Sequence, residues 1–360
     1  MADIASRFEN NPLIRPSDVT ASREGLSVVG LFNPGVFHFD GKVCLLLRVA
    51  EASYRDNQLS APIIDEHQPD GIRTIYFDRS APGVDAHDPR IFIADGQAYL
   101  TTLSHLRLAT STDGRRFIVE KMPTLQGEGY QERYGIEDSR VSLIDGQYFI
   151  TYTAVSADGV GVKLITTSDW KTYHRKGMIL PPHNKDCVLF PSRINDFYYC
   201  LHRPSGITIG GHYMWLSSSP DGVHWGHHHC LIRTRPGAWD SVKVGAGGPP
   251  IEQDDGWLVI YHAADENDRY CLGALLLDKH DPTRVLARSH EPIMEPVAEY
   301  EKQGFYGNVV FSDGHLLRGD ELYLYYGASD EFICGATLSI TQIRAFLAEQ
   351  PAETPPRHKY

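Results

Sequence analysis

The chain has 360 residues, enough for one large all-β domain or two smaller ones. Its 42% hydrophobic and 22% charged residues are ordinary for a globular protein. The net charge of −12 disfavours non-specific nucleic-acid binding, which needs clustered Lys and Arg, but a few local cations could still hold a small anion.

The N-terminus, Met1 to Arg7, has neither a basic n-region nor an apolar h-region. No apolar run reaches the roughly 18 residues of a membrane helix. The expectation is a cytoplasmic protein. Cys44, Cys187, Cys200, Cys230, Cys271 and Cys334 are scattered without a CxxC pair and read as reduced core thiols.

A turn of the Asp-Gly type followed by an apolar or aromatic strand recurs at six places. In chain order they begin at Asp40-Gly41, Asp95-Gly96, Asp145-Gly146, Asn195-Asp196, Asp255-Gly256 and Gly319-Asp320. Asp-Gly supplies the positive φ angles of a tight hairpin. The spacing of roughly 50 to 65 residues suits four-stranded propeller blades with long loops. A second element alternates with the first: Ser111 to Phe117, Thr167 to Tyr173 and Ser219 to Trp225 are polar turns closed by an aromatic residue, and Leu277 to Pro282 is a degenerate fourth. These read as outer hairpins. The pattern predicts an all-β propeller of five or six blades, in which the first and last segments can complete one blade together. Thr341 to Ala348 is the one helical stretch, and residues 350–360 form an extended or disordered tail after a single propeller domain over residues 1–349.

Polar clusters sit at strand ends. Glu137-Asp138-Ser139-Arg140 precedes the strand Gln147 to Thr153, and His87-Asp88-Pro89-Arg90 looks like a copy one repeat earlier. Such a carboxyl is either an acid catalyst aimed at a common centre or a turn Asp paired with its Arg. Lys185, Arg203, Lys243 and His262 lie at equivalent strand ends, so they would converge on one face and could hold a doubly charged oxyanion. Gly245-Ala246-Gly247-Gly248 lacks the Walker pattern, which argues against a nucleotide. His227-His228-His229 points alternate side chains to opposite faces and has no carboxylate partner, so no metal is expected. No Gly-x-Ser-x-Gly elbow occurs, and no Cys stands near a partner His. The 19 Tyr, 14 Phe and 5 Trp fit strand packing first.

Over most of its length the chain resembles the five-bladed propeller family of glycoside hydrolases that contains the β-mannoside phosphorylases. The resemblance rests on Phe32 to Val36, Leu47 to Glu51, Gly135 to Arg140, Lys185 to Pro191, His202 to Pro204, Lys243 to Pro250, Tyr261-His262, Gly307 to Phe311 and Tyr325 to Asp330. It implies five blades. It puts the proton donor on Asp138, with Ser139 where the family usually has Pro. It puts the phosphate-binding cations on Lys185, Arg203 and Lys243, with His262 close by. Arg48, Asp88 and Asp330 would line the mannosyl subsite, and Asn33, Glu137, Arg140, Asp186, His202 and Asn308 count as further substrate-binding positions. Glu137 would raise the pKa of Asp138 and Arg140 would oppose it.

The implied reaction is inverting phosphorolysis of a β-mannoside. Inverting hydrolysis needs a carboxylate base to activate water, whereas phosphate is already a nucleophile and needs cations to aim it. Arg15 to Val19, Asn184 to Asp186 and His202 to Pro204 look more like the β-1,2 than the β-1,4 branch. The expected partners are a small β-mannoside and phosphate as co-substrate, with no cofactor, nucleic acid or membrane, and a homo-oligomer left open. A water-using β-mannosidase and a non-catalytic glycan-binding propeller are the competing readings.

Overall fold

The computed structural model describes residues 3–349 except 89, 207 and 208. The C-terminal tail, 350–360, lies outside the described residues. Five antiparallel sheets follow one another along the chain. Blade I takes Ser27–Phe39, Lys42–Ala52, Leu103–Ser111 and Ile118–Val119. Blade II takes Ile136–Ile144, Gln147–Ser156, Gly159–Thr167 and His174–Leu180. Blade III takes Asn184–Leu189, Tyr198–Pro204, Met214–Ser219 and Gly226–Ile232. Blade IV takes Lys243–Ala246, Gly256–Ala264, Tyr270–Asp278 and Val285–Arg288, with the short Ile251–Glu252 also on its second strand. Blade V takes Val310–Arg318, Glu321–Ala328 and Phe332–Ser339.

The fourth strand of blade V comes from the other end of the chain. Ser339 accepts a hydrogen bond from Gln342 N and caps the helix Ile340–Ala348, so the chain leaves the sheet there. Ser6–Arg7 takes the vacant edge, pairing Ser6 with Thr337 and Arg7 with Ala336. Arg7 Nε then meets the buried Glu301 at 2.8 Å. The innermost strands of blades I to IV pack in succession, the third strand of blade IV meets the innermost strand of blade V, and the innermost strand of blade I touches both blade II and blade V, which closes the ring.

Five of the six Asp-Gly-type turns join the first and second strands of the five blades. Asp40-Gly41, Asp145-Gly146 and Asn195-Asp196 have positive φ at both residues, as the tight hairpin requires. The sixth turn, Asp95-Gly96, belongs to no blade. It joins Ile91–Ala94 to Gln97–Leu100 in a three-stranded sheet with Asp85–Asp88. That sheet and the hairpin Gln58–Ile64/Ile72–Asp78 are inserted between the second and third strands of blade I, around a small core of Leu59, Ala61, Phe92 and Ala94. The local turn chemistry is the same, so the insertion mimics a repeat.

The outer turns share one device. Asp113, Asp169, Asp221 and Asp278 each accept hydrogen bonds from two main-chain N–H groups just downstream, at 2.7–3.0 Å. These hydrogen bonds hold the carboxyl pKa of Asp113 and Asp169 down to about 2. Aromatic residues knit blade to blade. Trp170 of blade II stacks on Phe37 of blade I at 3.7 Å, and Tyr325 of blade V donates to the Gly114 carbonyl of blade I at 2.9 Å. Such ring pairs are worth about 0.5–1.5 kcal/mol beyond the area they bury.

Candidate active site

In four blades the innermost strand breaks its ladder near the same end: between Phe32 and Gly35, Glu137 and Arg140, Lys185 and Val188, and Phe311 and Gly314. The first three breaks each hold a non-glycine residue at positive φ: Asn33 at 34°, Asp138 at 44° and Asp186 at 54°. Asn and Asp tolerate that conformation better than other side-chain-bearing residues. A bulge re-aims its side chain. Here all three line one cavity of about 240 Å³. Opposite them, the second strands of the blades contribute their ends, because antiparallel register puts Arg48 across from Phe32, Arg203 across from Lys185 and His262 across from Gly245.

One wall is acidic. Arg48 donates from Nη1 to Asp138 Oδ1 at 3.1 Å and from Nη2 to Glu137 Oε1 at 2.8 Å. Its guanidinium lies over the Phe32 ring at 4.7 Å, and its Nε donates to Ser104 Oγ. Asn33 Nδ2 donates to the same Asp138 oxygen at 3.2 Å. Burial pushes the Asp138 pKa up, but Arg48, Lys185 and Arg140 together pull it below the ordinary value. The expected lift from Glu137 is outweighed, so the carboxylate form of Asp138 is favoured. Asp330, on the same cavity, goes the other way: burial and the charge of Asp138, against Arg48, raise it to about 6.

The far wall is cationic. Lys185 lines the cavity, and its Nζ has no hydrogen bond or ion pair among the described residues. Arg203 meets Asp186 Oδ2 at 2.8 Å through Nη2, while its Nε and Nη1 are buried without hydrogen-bond partners. His262 Nε2 is 3.1 Å from the same Asp186 oxygen. Burial lowers the His262 pKa to about 4 despite Asp186, so the imidazole is neutral. Burial alone would raise the Asp186 pKa, yet Arg203 and His262 hold it well below the usual carboxylate range. A free ammonium and two unpaired guanidinium donors across from a carboxyl pair can seat an anion against a substrate that the acid wall holds.

Residues 101–349 match the profile of the Glyco_hydro_130 family, described as β-1,4-mannooligosaccharide phosphorylase. The chain belongs to this family. It is 43% identical over 343 residues to a β-1,2-mannobiose phosphorylase of Listeria innocua, covering 94% of this chain and 96% of the relative. It is 41% identical over 247 residues to a 1,2-β-oligomannan phosphorylase of Thermoanaerobacter, covering 67% of this chain and 81% of the relative. The solved structure of the Listeria innocua β-1,2-mannobiose phosphorylase in complex with β-1,2-mannobiose superposes with a TM-score of 0.93 at 42% identity, over 96% of this chain and 99% of that one.

This family 130 chain gathers Asn33, Arg48, Glu137, Asp138, Lys185, Asp186, Arg203 and Asp330 around the cavity, as the sequence suggested. Other expected residues lie elsewhere. Arg140 is buried off the cavity, where Nη1 donates to the Asp138 carbonyl at 3.0 Å and Nη2 meets Asp313 at 2.6 Å and Asp186 at 3.6 Å. It braces the Asp138 backbone and does not line the cavity. His262 is likewise a buried support for Asp186 and does not line the cavity. His202 is buried between Asn184 Oδ1 and Ser217 Oγ, behind the anion wall. Asn308 is exposed, outside the cavity lining, at a positive-φ turn. Lys243 donates to Tyr270 OH at 2.7 Å, and only the tyrosine lines the cavity.

Asp88 is not the equivalent of Asp138. It sits in the insertion, where Arg90 clamps it through Nε at 3.0 Å and Nη2 at 2.8 Å. Arg90 itself reaches the cavity and lies 4.3 Å from the Tyr306 ring. Arg90, Thr102, Tyr270, Phe305 and Tyr306 line the cavity without being singled out by sequence. Arg90 carried a readable signal as the charged neighbour of Asp88. Thr102, Phe305 and Tyr306 come from loops with no distinctive pattern, and Tyr270 opens the third strand of blade IV. Among the described residues no cluster of three or more metal-ligating side chains occurs. His227 and His228 instead reach Ser218 and Ser217 on the neighbouring strand.

Proposed function

We propose that the protein is an inverting phosphorylase of β-1,2-mannosides, releasing α-mannose 1-phosphate. The observation that carries the reading is the unpartnered Lys185 beside Arg203, on the same cavity as Asp138. A hydrolase needs a carboxylate base there to activate water. The carboxylate on that wall, Asp186, is held by Arg203 and His262 and is a poor base. Phosphate needs no base, only cations that fix it in line with the anomeric carbon.

Asp138 supplies the proton to the leaving oxygen. Its carboxylate form is favoured by the surrounding cations, so it must gain a proton before it can donate one. A phosphate bound to Lys185 removes part of the positive field that lowers its pKa, and a mannosyl unit displacing water adds to its desolvation. Arg48 and Asn33 hold the carboxyl in place, and the family resemblance implies that the proton travels through a sugar hydroxyl. The β-1,2 linkage rests on the likeness to the two β-1,2-active relatives. Incubation of β-1,2-mannobiose with and without inorganic phosphate tests the reaction type: turnover that is the same without phosphate rejects it. Running the reaction backwards from α-mannose 1-phosphate with a panel of acceptors, and reading the linkage by NMR, tests the linkage.

A further inference from the structure

The fourth ladder break, between Phe311 and Gly314, holds Ser312 and Asp313, and neither lines the cavity. Ser312 Oγ donates to the Tyr325 carbonyl at 2.8 Å and pins the bulge. Asp313 is fully buried, and Arg140, at 2.6 Å through Nη2, is its one ion-pair partner among the described residues. Resting on the phosphorylase reading, we propose that Asp313 is a positioning residue of the reaction. It holds the Arg140 guanidinium, and Arg140 fixes the proton donor and the anion wall relative to each other.

The partners of Arg140 are the first argument. Nη1 donates to the main-chain carbonyl of Asp138 at 3.0 Å. Nη2 lies 3.6 Å from Asp186 Oδ1, and the other oxygen of that carboxylate takes Arg203 at 2.8 Å. Nη2 also donates to the Ala246 carbonyl at 3.1 Å. Blades II, III, IV and V therefore meet at one side chain, and a run of contacts leads from Asp138 through Arg140 and Asp186 to Arg203. The surrounding backbone leaves the guanidinium little freedom. A Cβ on Gly35 would stand 2.9 Å from the Ser139 carbonyl, one on Gly247 2.9 Å from the Ser312 carbonyl, and one on Gly314 2.5 Å from Val36 N.

Energetics is the second argument. Arg140 and Asp313 are both withdrawn from water. A buried ion pair adds little net stability compared with apolar side chains of similar size, so stability alone is a poor reason for one here. What it does supply is direction, because a guanidinium presents its donors in a rigid planar fork. Asp138 sits at a φ of 44°, a conformation that persists only where the surroundings hold it, and the Arg140 bond to its carbonyl is one such hold. A misplacement of about 1 Å at a reacting group can cost about 10²-fold in rate. Without Asp313, the fork is free to turn toward Asp186, and both the donor and the seat of the phosphate then move.

The test compares the wild type with Asp313→Asn, which keeps the shape and removes the charge, and with Arg140→Lys, which keeps the charge and removes the fork. In both variants kcat on β-1,2-mannobiose should fall about tenfold or more, and much less on a dinitrophenyl β-mannoside, whose leaving group needs no proton. In both, the KM for phosphate should rise about threefold or more. Circular dichroism at the assay temperature reports folding, and either variant decides the question if the other misfolds. A merely structural pair would lower Tm and leave kcat and the phosphate KM within about twofold of wild type, which overturns the inference. A change confined to one of the two readouts also overturns it, because the pair would then serve a single wall. Wild-type turnover that ignores phosphate rejects the phosphorylase reading itself, an outcome separate from any variant.

Discussion

Arg48 Nη1 lies 3.1 Å from Asp138 Oδ1, and this ion pair, with Lys185 and Arg140, holds the pKa of the proposed acid below the ordinary carboxyl value. Asp138→Asn retains a residue that tolerates positive φ, so folding should survive. Phosphorolysis of β-1,2-mannobiose should fall by about 10²–10⁴-fold, the usual worth of a general acid. With a dinitrophenyl β-mannoside, whose leaving group needs no proton, the loss should shrink to a small fraction of that. An equal loss on both donors would remove Asp138 from the acid role.

Lys185→Ala should raise the KM for phosphate by about an order of magnitude while moving the KM for the mannoside much less. Arg203→Ala should do the same and also leave Asp186 held by His262 and Arg140 alone. Lys243→Ala should have the smallest effect of the three, because Lys243 is engaged with Tyr270 and does not line the cavity. Initial rates over a matrix of phosphate and mannoside concentrations check this ranking.

Asp330 gives the free protein a pH signature. Its folded pKa, about 6, exceeds the ordinary carboxyl value of 3.8. A raised carboxyl pKa means that the favourable contribution is complete below the ordinary value and is lost as pH rises through about 6. Asp330→Asn should therefore raise Tm by a few degrees at pH 8, relative to wild type, and make little difference at pH 4. Thermal unfolding of both proteins without ligand, across that range, is the measurement. Mannoside binding should weaken in the same variant, since it removes a cavity carboxyl beside Arg48.

Gly245 lies opposite His262 in the ladder, and a Cβ there would run into both Asp186 Oδ2 and His262 Nε2. Gly245→Ala should split that contact and displace Asp186 from Arg203. The expected result is a stability loss of about 1–3 kcal/mol, typical of overpacking, with a raised KM for phosphate. Denaturant unfolding together with phosphate saturation curves tests it, and unchanged phosphate kinetics would show that the His262 support is dispensable.

The ring was readable because its hairpins depend on local chemistry. Asp40-Gly41 and Asp145-Gly146 can hardly form another turn, and Asp113, Asp169 and Asp221 cap their outer turns within a few residues. The same locality made Asp95-Gly96 misleading, since nothing in a hairpin says which sheet it joins. The anion wall was legible for a similar reason: Lys185 and Arg203 sit at strand ends that antiparallel pairing must bring together. Which way a charged side chain then faces was not legible. A bulge turns Asp138 and Asp186 toward the cavity, while Arg140, two residues past Asp138, points into the protein. Arg90 and Tyr306 meet across the mouth from distant loops, a contact that only the closed ring creates.

The Ser6–Arg7 strand has a consequence for synthesis. Its partner, Phe332–Ser339, follows every other described strand in chain order and so leaves the ribosome after them. Until then the first strand has nowhere to pair, and blade V ends in an open edge. Pairings so distant in sequence are slow to form, and bare strand edges recruit other chains. Phe8, packed against Gly335, and Arg7, held by Glu301, act as the latch. A nascent chain shortened by its first eight residues would keep every cavity residue named above and still lack the latch, so its failure would show as aggregation during expression and not as a defect in turnover.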